Sequence, residues 1–372
     1  MNKKPEKFPL NLFCSLMILG FIPFLYTSVR TNLIANSSVT KGLEIAGHME
    51  WFDLINETIQ AFLIVPLYAL FNKCVHDREK FKERIFQSFL IVSVIYILFS
   101  IFVYVHCKRI VSTMVFDRIE EVTGYLRLET VGFIIANAVC FVNVLFVVLG
   151  KSVYIYIMVI LKTMFTMAGD LFLIPRFGVN GAAYSNIAVN IACVILCLFV
   201  IFKEKLVMVS FRMKKSFVKD YLSIGLFSGS QILLDNVIYA LLVCKMVNSV
   251  AEQGNYWAAN NIIWGLMLVP ILALAEIIKK DCKEKLTMTK IRHYNIVIIV
   301  TFLIWLCFIP GLELFLKNVM GIENTVSVRN ILITLIPFYL AYSYSVLFDN
   351  ILIGYGKMHY CFLIFKKGYQ KN

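Results

Sequence analysis

Ten runs of about 20 apolar residues, separated by short charged or glycine-containing segments, constrain this chain more than anything else in it. At about 1.5 Å per helical residue, each run is long enough to cross the ~30 Å hydrocarbon core of a bilayer. The pattern predicts helices over 9–29, 54–72, 85–105, 129–149, 153–174, 180–202, 221–244, 258–278, 294–312 and 330–354. No hydrophilic block between them could form a soluble domain, and a mean hydropathy of +0.78 with 16% charged residues leaves too little polar surface for one. The fold class expected is all-α, a polytopic membrane protein whose partner is the lipid bilayer. The first run has no A-x-A-like cleavage site behind it, so it reads as a retained helix rather than a signal peptide.

The net charge of +13 does not imply nucleic-acid binding, because the basic residues sit in the short segments between apolar runs. Alternate segments hold 25 and 10 Lys/Arg, and Lys162 lies inside a run. This asymmetry places the N-terminus in the cytoplasm, with the chain expected in the cell (plasma) membrane as a monomer. The ten cysteines include no CxxC pair and no Cys/His cluster at zinc spacing, and read as small core hydrophobes. No GxSxG or HExxH motif occurs, and Gly150-Lys151-Ser152 lacks the earlier glycine of a phosphate-binding loop. Neither an enzyme nor a bound cofactor is expected.

A repeat is visible. Gly47-His48-Met49-Glu50-Trp51 followed by Val65-Pro66-Leu67-Tyr68-Ala69-Leu70 is echoed by Gly254-Asn255-Tyr256-Trp257 followed by Val269-Pro270-Ile271-Leu272-Ala273-Leu274, and Gly150-Lys151 by Gly356-Lys357, all at offsets of 204 to 207. The copies share an orientation, which makes this a parallel six-helix repeat. The first lobe is then 1–205 and the second 206–372, with about four helices. A full second copy needs two more runs after Gly356, so a chain shortened at its C-terminus is expected.

Six charges inside the runs stand out: Glu57, Lys162, Asp170, Asp235, Glu276 and Asp349. A charge at membrane depth costs about 2.5–3.5 kcal/mol on insertion scales, so each should find water or a partner. Glu57 and Glu276 are near enough to run ends to be interfacial, Asp170 could pair with Arg176, and Lys162 could snorkel or join an acid. Pro23, Pro66, Pro270, Pro310 and Pro337 are expected to kink helices or shape their packing. The segment Pro175 to Asn186 reads as a tight turn leading into a small-residue helix face.

Tyr125-Leu126-Arg127, Gly150-Lys151, Asp170-Leu171-Phe172-Leu173-Ile174 and Gly178-Val179-Asn180-Gly181-Ala182-Ala183 occur in an order and spacing that resembles helices four to six of the multidrug and toxic compound extrusion (MATE) family, within the multidrug/oligosaccharidyl-lipid/polysaccharide (MOP) exporter superfamily. The resemblance implies a two-lobed antiporter that exports organic cations in exchange for sodium ions or protons by alternating access. Carried over residue by residue, it assigns the coupling ion, a sodium ion or a proton, to Asp170 with Asn137, Thr166 and Asn186. Tyr26-Thr27-Ser28-Val29 stands where the family has an aspartate, and Thr166 where it has an asparagine. Asp235 and Asp349 are the acids offered for the second lobe. A lipid-linked saccharide flippase of the same superfamily and a nonfunctional remnant are the alternatives.

Overall fold

The computed structural model describes residues 8–37, 41–282 and 286–354; the expected loss of two C-terminal helices falls outside these residues. Ten membrane helices follow in chain order. They are α1 (Leu10–Ala35), α2 (Gly42–Asn72), α3 (Arg78–Met114), α4 (Ile119–Val148), α5 (Ser152–Phe177), α6 (Val179–Lys203) and α7 (Lys215–Ser249), then α8 (Gln253–Met267 and Val269–Ile278, bent by 45°), α9 (Met288–Asn318) and α10 (Thr325–Gly354). Each corresponds to one sequence run, and no strand occurs among the described residues.

The helices overrun the apolar runs at their ends. Charged residues end a hydropathy run without ending a helix. Asp77 caps α3 by accepting the Lys80 backbone N–H at 3.2 Å, and the 37 residues that follow reach about 55 Å, well past the hydrocarbon layer. α4 opens ten residues before its apolar run, with Glu120 and Glu121 in its first turn, where acids suit the positive end of the helix dipole. Exposed Leu98, Phe102, Val105, Phe172, Ile195 and Phe199 give these helices an apolar outer surface that suits lipid.

Prolines coincide with several of the breaks. The regular helix is interrupted at Ile64, two residues before Pro66, and at Leu268, two before Pro270. Pro310 lies in a 3₁₀ turn within α9, while Pro23 and Pro337 sit inside continuous helices. The two repeat-related breaks are 204 residues apart, as in the sequence repeat.

The chain packs as two compact units, Leu33–Trp257 and Met1–Asn32 with Ala258–Asn372. In the Leu33–Trp257 unit the α5–α6 hairpin turns on one residue, Gly178, whose φ of 58° and ψ of −138° suit glycine alone. Three residues on, a Cβ at Gly181 would lie 2.3 Å from the Leu173 carbonyl oxygen, so hydrogen is all that fits there. The repeated glycine motifs meet in this unit. A Cβ at Gly47 would stand 2.8 Å from the Gln253 carbonyl oxygen, one at Gly254 would stand 3.0 Å from the Glu44 nitrogen, and Gln253 Nε2 donates to the Gly47 carbonyl at 2.6 Å.

The unit's interior is layered along the helix axes. One apolar cluster gathers Ile45, Phe52, Val103, Val111, Leu126, Ile174, Val179 and Ala183. The other gathers Leu67, Phe71, Ile85, Val92, Phe141, Leu145, Cys193 and Tyr221. On α2, α3, α4, α5 and α6 alike, the residues between the two clusters include buried or half-buried polar groups: Asn56 and Gln60, Ser100, Glu129 and Thr130, Thr166 and Asp170, Ser185 and Asn186. The unit therefore carries a polar band midway between two greasy layers.

Candidate ion and substrate sites

The polar band is built first by α4, α5 and α6. Thr166 (3% exposed) and Asp170 (0%) lie one turn apart on the same side of α5. A Cβ at Gly169 would sit 2.5 Å from Ser185 Oγ, and Ser185 Oγ donates to the Thr166 carbonyl at 3.4 Å, so α6 lies directly against this face. That register puts Asp170 at the depth of Asn186. Asn186 Nδ2 in turn reaches α4, donating at 3.1 Å to each carboxylate oxygen of Glu129, which is 2% exposed. Two acids therefore lie in one buried band, each on a different helix. Asn137 is eight residues, or about 12 Å, further along α4. Its side chain is 3% exposed and its Oδ1 has no hydrogen-bond partner among the described residues. A carboxylate and a bare amide oxygen are hard oxygen donors of the kind that suit sodium, and the same carboxylates can take a proton.

Glu129 and Asp53 are absent from the residues that the sequence reading singles out. Glu129 is the first residue of the run 129–149 and Asp53 falls one residue before the run 54–72; both look interfacial until the helix is extended to its true start. The signals were present in Glu120-Glu121 as a helix-opening pair, and in Gly42, where α2 begins.

A second polar face runs along α2. Asp53 and Glu57 are both exposed and lie one turn apart, with Asn56 and Gln60 beside them. Asn56 Nδ2 donates to Asp53 Oδ1 at 3.0 Å, Gln60 Nε2 donates to Asn56 Oδ1 at 3.3 Å, and the Tyr96 hydroxyl on α3 donates to the same Asn56 oxygen. α7 packs along this face. Asn236 Nδ2 donates to the Leu54 carbonyl (3.1 Å), Glu57 Oε2 (3.3 Å) and Thr58 Oγ1 (3.0 Å), and Asp235 lies within electrostatic reach of Glu57. Immediately after it, Tyr239 donates to Glu50 at 3.0 Å and shares a 2.5 Å hydrogen bond with Tyr256. There α7 loosens into a π-helical turn at Ala240–Cys244, a form that often marks functional positions. The structure thus brings Asn236, the neighbour of Asp235 in the chain, to Glu57, and Asn186 to Glu129.

The unit formed by Met1–Asn32 and Ala258–Asn372 holds the rest. Glu276 is exposed and helps line a cavity of about 480 Å³, together with Pro23, Phe24 and Thr27 of α1 and Asn261, Trp264 and Leu272 of α8. A π-helical turn at Ile263–Met267 forms part of its wall, and the Asn261 Nδ2 is buried without a hydrogen-bond partner among the described residues. Trp264 meets Tyr339 and Tyr342 edge-on, at 6.1 and 5.5 Å between ring centres. Asp349 is exposed on α10 and accepts from Ser345 Oγ at 3.2 Å. Aromatic faces near a carboxylate are a common setting for organic cations. Among the described residues, no group of three or more His, Cys, Asp or Glu side chains is arranged to hold a metal ion.

No protein-family model matches the chain, and no curated protein matches its sequence. Solved structures do match. An inward-facing conformation of a multidrug resistance MATE family transporter of the MOP superfamily is 18% identical with a TM-score of 0.75, covering 94% of this chain and 85% of that one. A MOP superfamily transporter from Pyrococcus furiosus, described as having a binding pocket of reverse polarity that suggests a different function, gives 18%, 0.68, 94% and 84%. An outward-facing MATE transporter gives 18%, 0.68, 94% and 82%. Ten helices in the order found here, with the sequence repeat they carry, are therefore the fold of the MATE transporters of the MOP superfamily.

Proposed function

We propose that this protein is a MATE-like secondary antiporter that exports amphipathic organic cations across the cell membrane in exchange for sodium ions or protons. The polar band at mid-depth in the Leu33–Trp257 unit carries the reading, since its two buried acids set carboxylate oxygens between apolar layers, where a coupling cation could be held. Asp170 and Glu129 are the coupling groups, with Thr166 and Asn186 as polar neighbours and the Asn137 amide oxygen further along α4. Asp53, Glu57 and Asp235 form the acidic approach for the organic cation, and Glu276 and Asp349 supply acid in the other unit. The lobes that alternate are taken as 1–205 and 206–372, with the N-terminus cytoplasmic and the chain acting as a monomer.

The mechanism needs no covalent step. A cationic amphiphile is drawn by the carboxylates and held by apolar and aromatic surface. Occupancy of the carboxylates by a proton or sodium ion removes the attraction, so the two ligands compete and the ion gradient drives export. A lipid-linked saccharide flippase would need cationic lining for a diphosphate, and against Asp53, Glu57 and Asp235 the band offers Lys162 as its cation. The experiment is efflux of a fluorescent cation from proteoliposomes under imposed sodium or proton gradients. Gradient-dependent efflux supports the reading; gradient-independent behaviour refutes it.

A further inference from the structure

The first turns of α7 have a face that transport does not use. Their inward face is docked on α2 and α3. Phe217 and Tyr221 are buried, the Arg84 guanidinium of α3 lies 4.0 Å over the Phe217 ring, and the Tyr221 hydroxyl donates to the Leu63 carbonyl of α2. One turn further on, a Cβ at Gly225 would stand 2.5 Å from the Phe62 carbonyl oxygen, and Ser228 Oγ donates to the Ala61 carbonyl at 2.9 Å. The segment leading into α7 is pinned to α3 as well: Gln87 Nε2 donates to the Arg212 carbonyl at 3.0 Å, and Ser210 Oγ donates to Glu83 Oε1 at 3.0 Å.

With that face fixed, helical phase decides the other. Lys215, Lys219, Leu222 and Leu226 follow at i, i+4, i+7 and i+11, along one side of the helix, with Ser223 one turn beyond Lys219. All five are exposed, Leu222 at 49% and Leu226 at 60%. Together with Met213 and Val218 they line an open groove of about 630 Å³.

The groove is graded from charge to hydrocarbon. The apolar run of α7 begins at Tyr221, so both lysines precede it, at headgroup level. Leu222 and Leu226 lie about 5 and 11 Å further along the axis than Lys219. Neither lysine makes an ion pair or hydrogen bond among the described residues. Residues 203–220 carry six basic side chains against Glu204 and Asp220, and Glu204 is already held by Lys151 and Tyr154. Asp220 points about 100° round the helix from Lys219.

Two ammonium groups above an apolar trough match a ligand with an anion at one end and a hydrocarbon chain at the other. A soluble anion would leave Leu222 and Leu226 uncovered. A zwitterionic lipid would bring a cation of its own to the same two lysines.

We propose that this groove binds one anionic phospholipid of the surrounding leaflet, its phosphate between Lys215 and Lys219, the Ser223 hydroxyl donating to an ester carbonyl, and an acyl chain along Leu222 and Leu226. The site lies on the outer face of α7 and is independent of the export reading.

The test titrates the purified full chain in detergent with dioleoyl phosphatidylglycerol or dioleoyl phosphatidylcholine, which share their chains, and reads bound lipid by native mass spectrometry. The wild type is expected to bind its first phosphatidylglycerol about thirtyfold more tightly than phosphatidylcholine, the scale of two lysines acting on one anionic headgroup. Lys215→Gln with Lys219→Gln should bring that ratio close to one, and Lys215→Arg with Lys219→Arg should keep it. Lys203→Gln with Lys205→Gln removes the same charge from the same basic stretch outside the groove, and should also keep it. Thermal unfolding checks that each variant is folded. The inference is overturned if the wild type shows no preference, or if the Lys215→Gln, Lys219→Gln variant retains it. An equal loss in the Lys203→Gln, Lys205→Gln variant would mark a diffuse field and overturn it too. Displacement of phosphatidylglycerol by equimolar inorganic phosphate would show a site for free anions and overturn the lipid assignment.

Discussion

Asn186 of α6 places a single amide nitrogen 3.1 Å from both carboxylate oxygens of Glu129 on α4, tying two helices together through one buried acid. A charge-assisted hydrogen bond of this kind contributes about 1.5–3 kcal/mol, and removing the donor also exposes the cost of burying the carboxylate. Asn186→Ala should therefore lower thermal stability by an amount in that range, and Asn186→Asp by more, because it sets a second carboxylate against the first. Part of the loss in Asn186→Ala should return when sodium is added, if Glu129 serves a cation. Melting curves of the purified protein with and without sodium measure both effects.

The α5–α6 hairpin and the α4–α5 turn predict contrasting glycine effects. At Gly181 an added methyl would meet the Leu173 backbone at 2.3 Å with no side chain to move aside, so Gly181→Ala should sharply reduce the yield of folded, monodisperse protein. At Gly150 the added methyl meets nothing within 4 Å, and the substitution is opposed by its φ of +67° alone. Gly150→Ala should cost about 1–2 kcal/mol and leave the yield nearly intact. Size-exclusion profiles of the two variants distinguish them.

At the membrane surface, Glu204 follows α6 and ties to the start of α5 by accepting from Lys151 Nζ at 2.5 Å and from the Tyr154 hydroxyl at 3.0 Å. Those two hydrogen bonds hold its carboxyl below the ordinary value of 4.5. The folded state thus binds this proton less readily than the unfolded chain does. Whatever the contact contributes is fully present above pH 4.5 and fades as the pH falls through the lower, folded value. Because the group is exposed, the effect is small. Glu204→Gln should lower the melting temperature slightly at neutral pH, and the difference from wild type should shrink as acid is added. A constant difference across that window would contradict the assignment.

Much of the fold was legible because a bilayer imposes its thickness on the sequence. All ten runs became helices, and Pro66 and Pro270 marked two breaks at the repeat spacing. The site was less legible for the same reason. A hydropathy run is anchored on its apolar stretch, so Glu129 and Asp53, at the edges of their runs, were not singled out although both helices continue well beyond them. Pairing was hidden as well, since Asn186 with Glu129 and Asn236 with Glu57 depend on the packing of helices 57 and 179 residues apart.

The claim that buried acids couple an ion gradient to export is tested most directly by driven efflux of rhodamine 123 from proteoliposomes bearing wild type, Asp170→Asn or Glu129→Gln. The account predicts that an imposed sodium or proton gradient accelerates wild-type efflux, and that Asp170→Asn loses this acceleration while remaining folded and inserted, with Glu129→Gln losing most of it. Gradient-dependent efflux that is unchanged in both variants would contradict it.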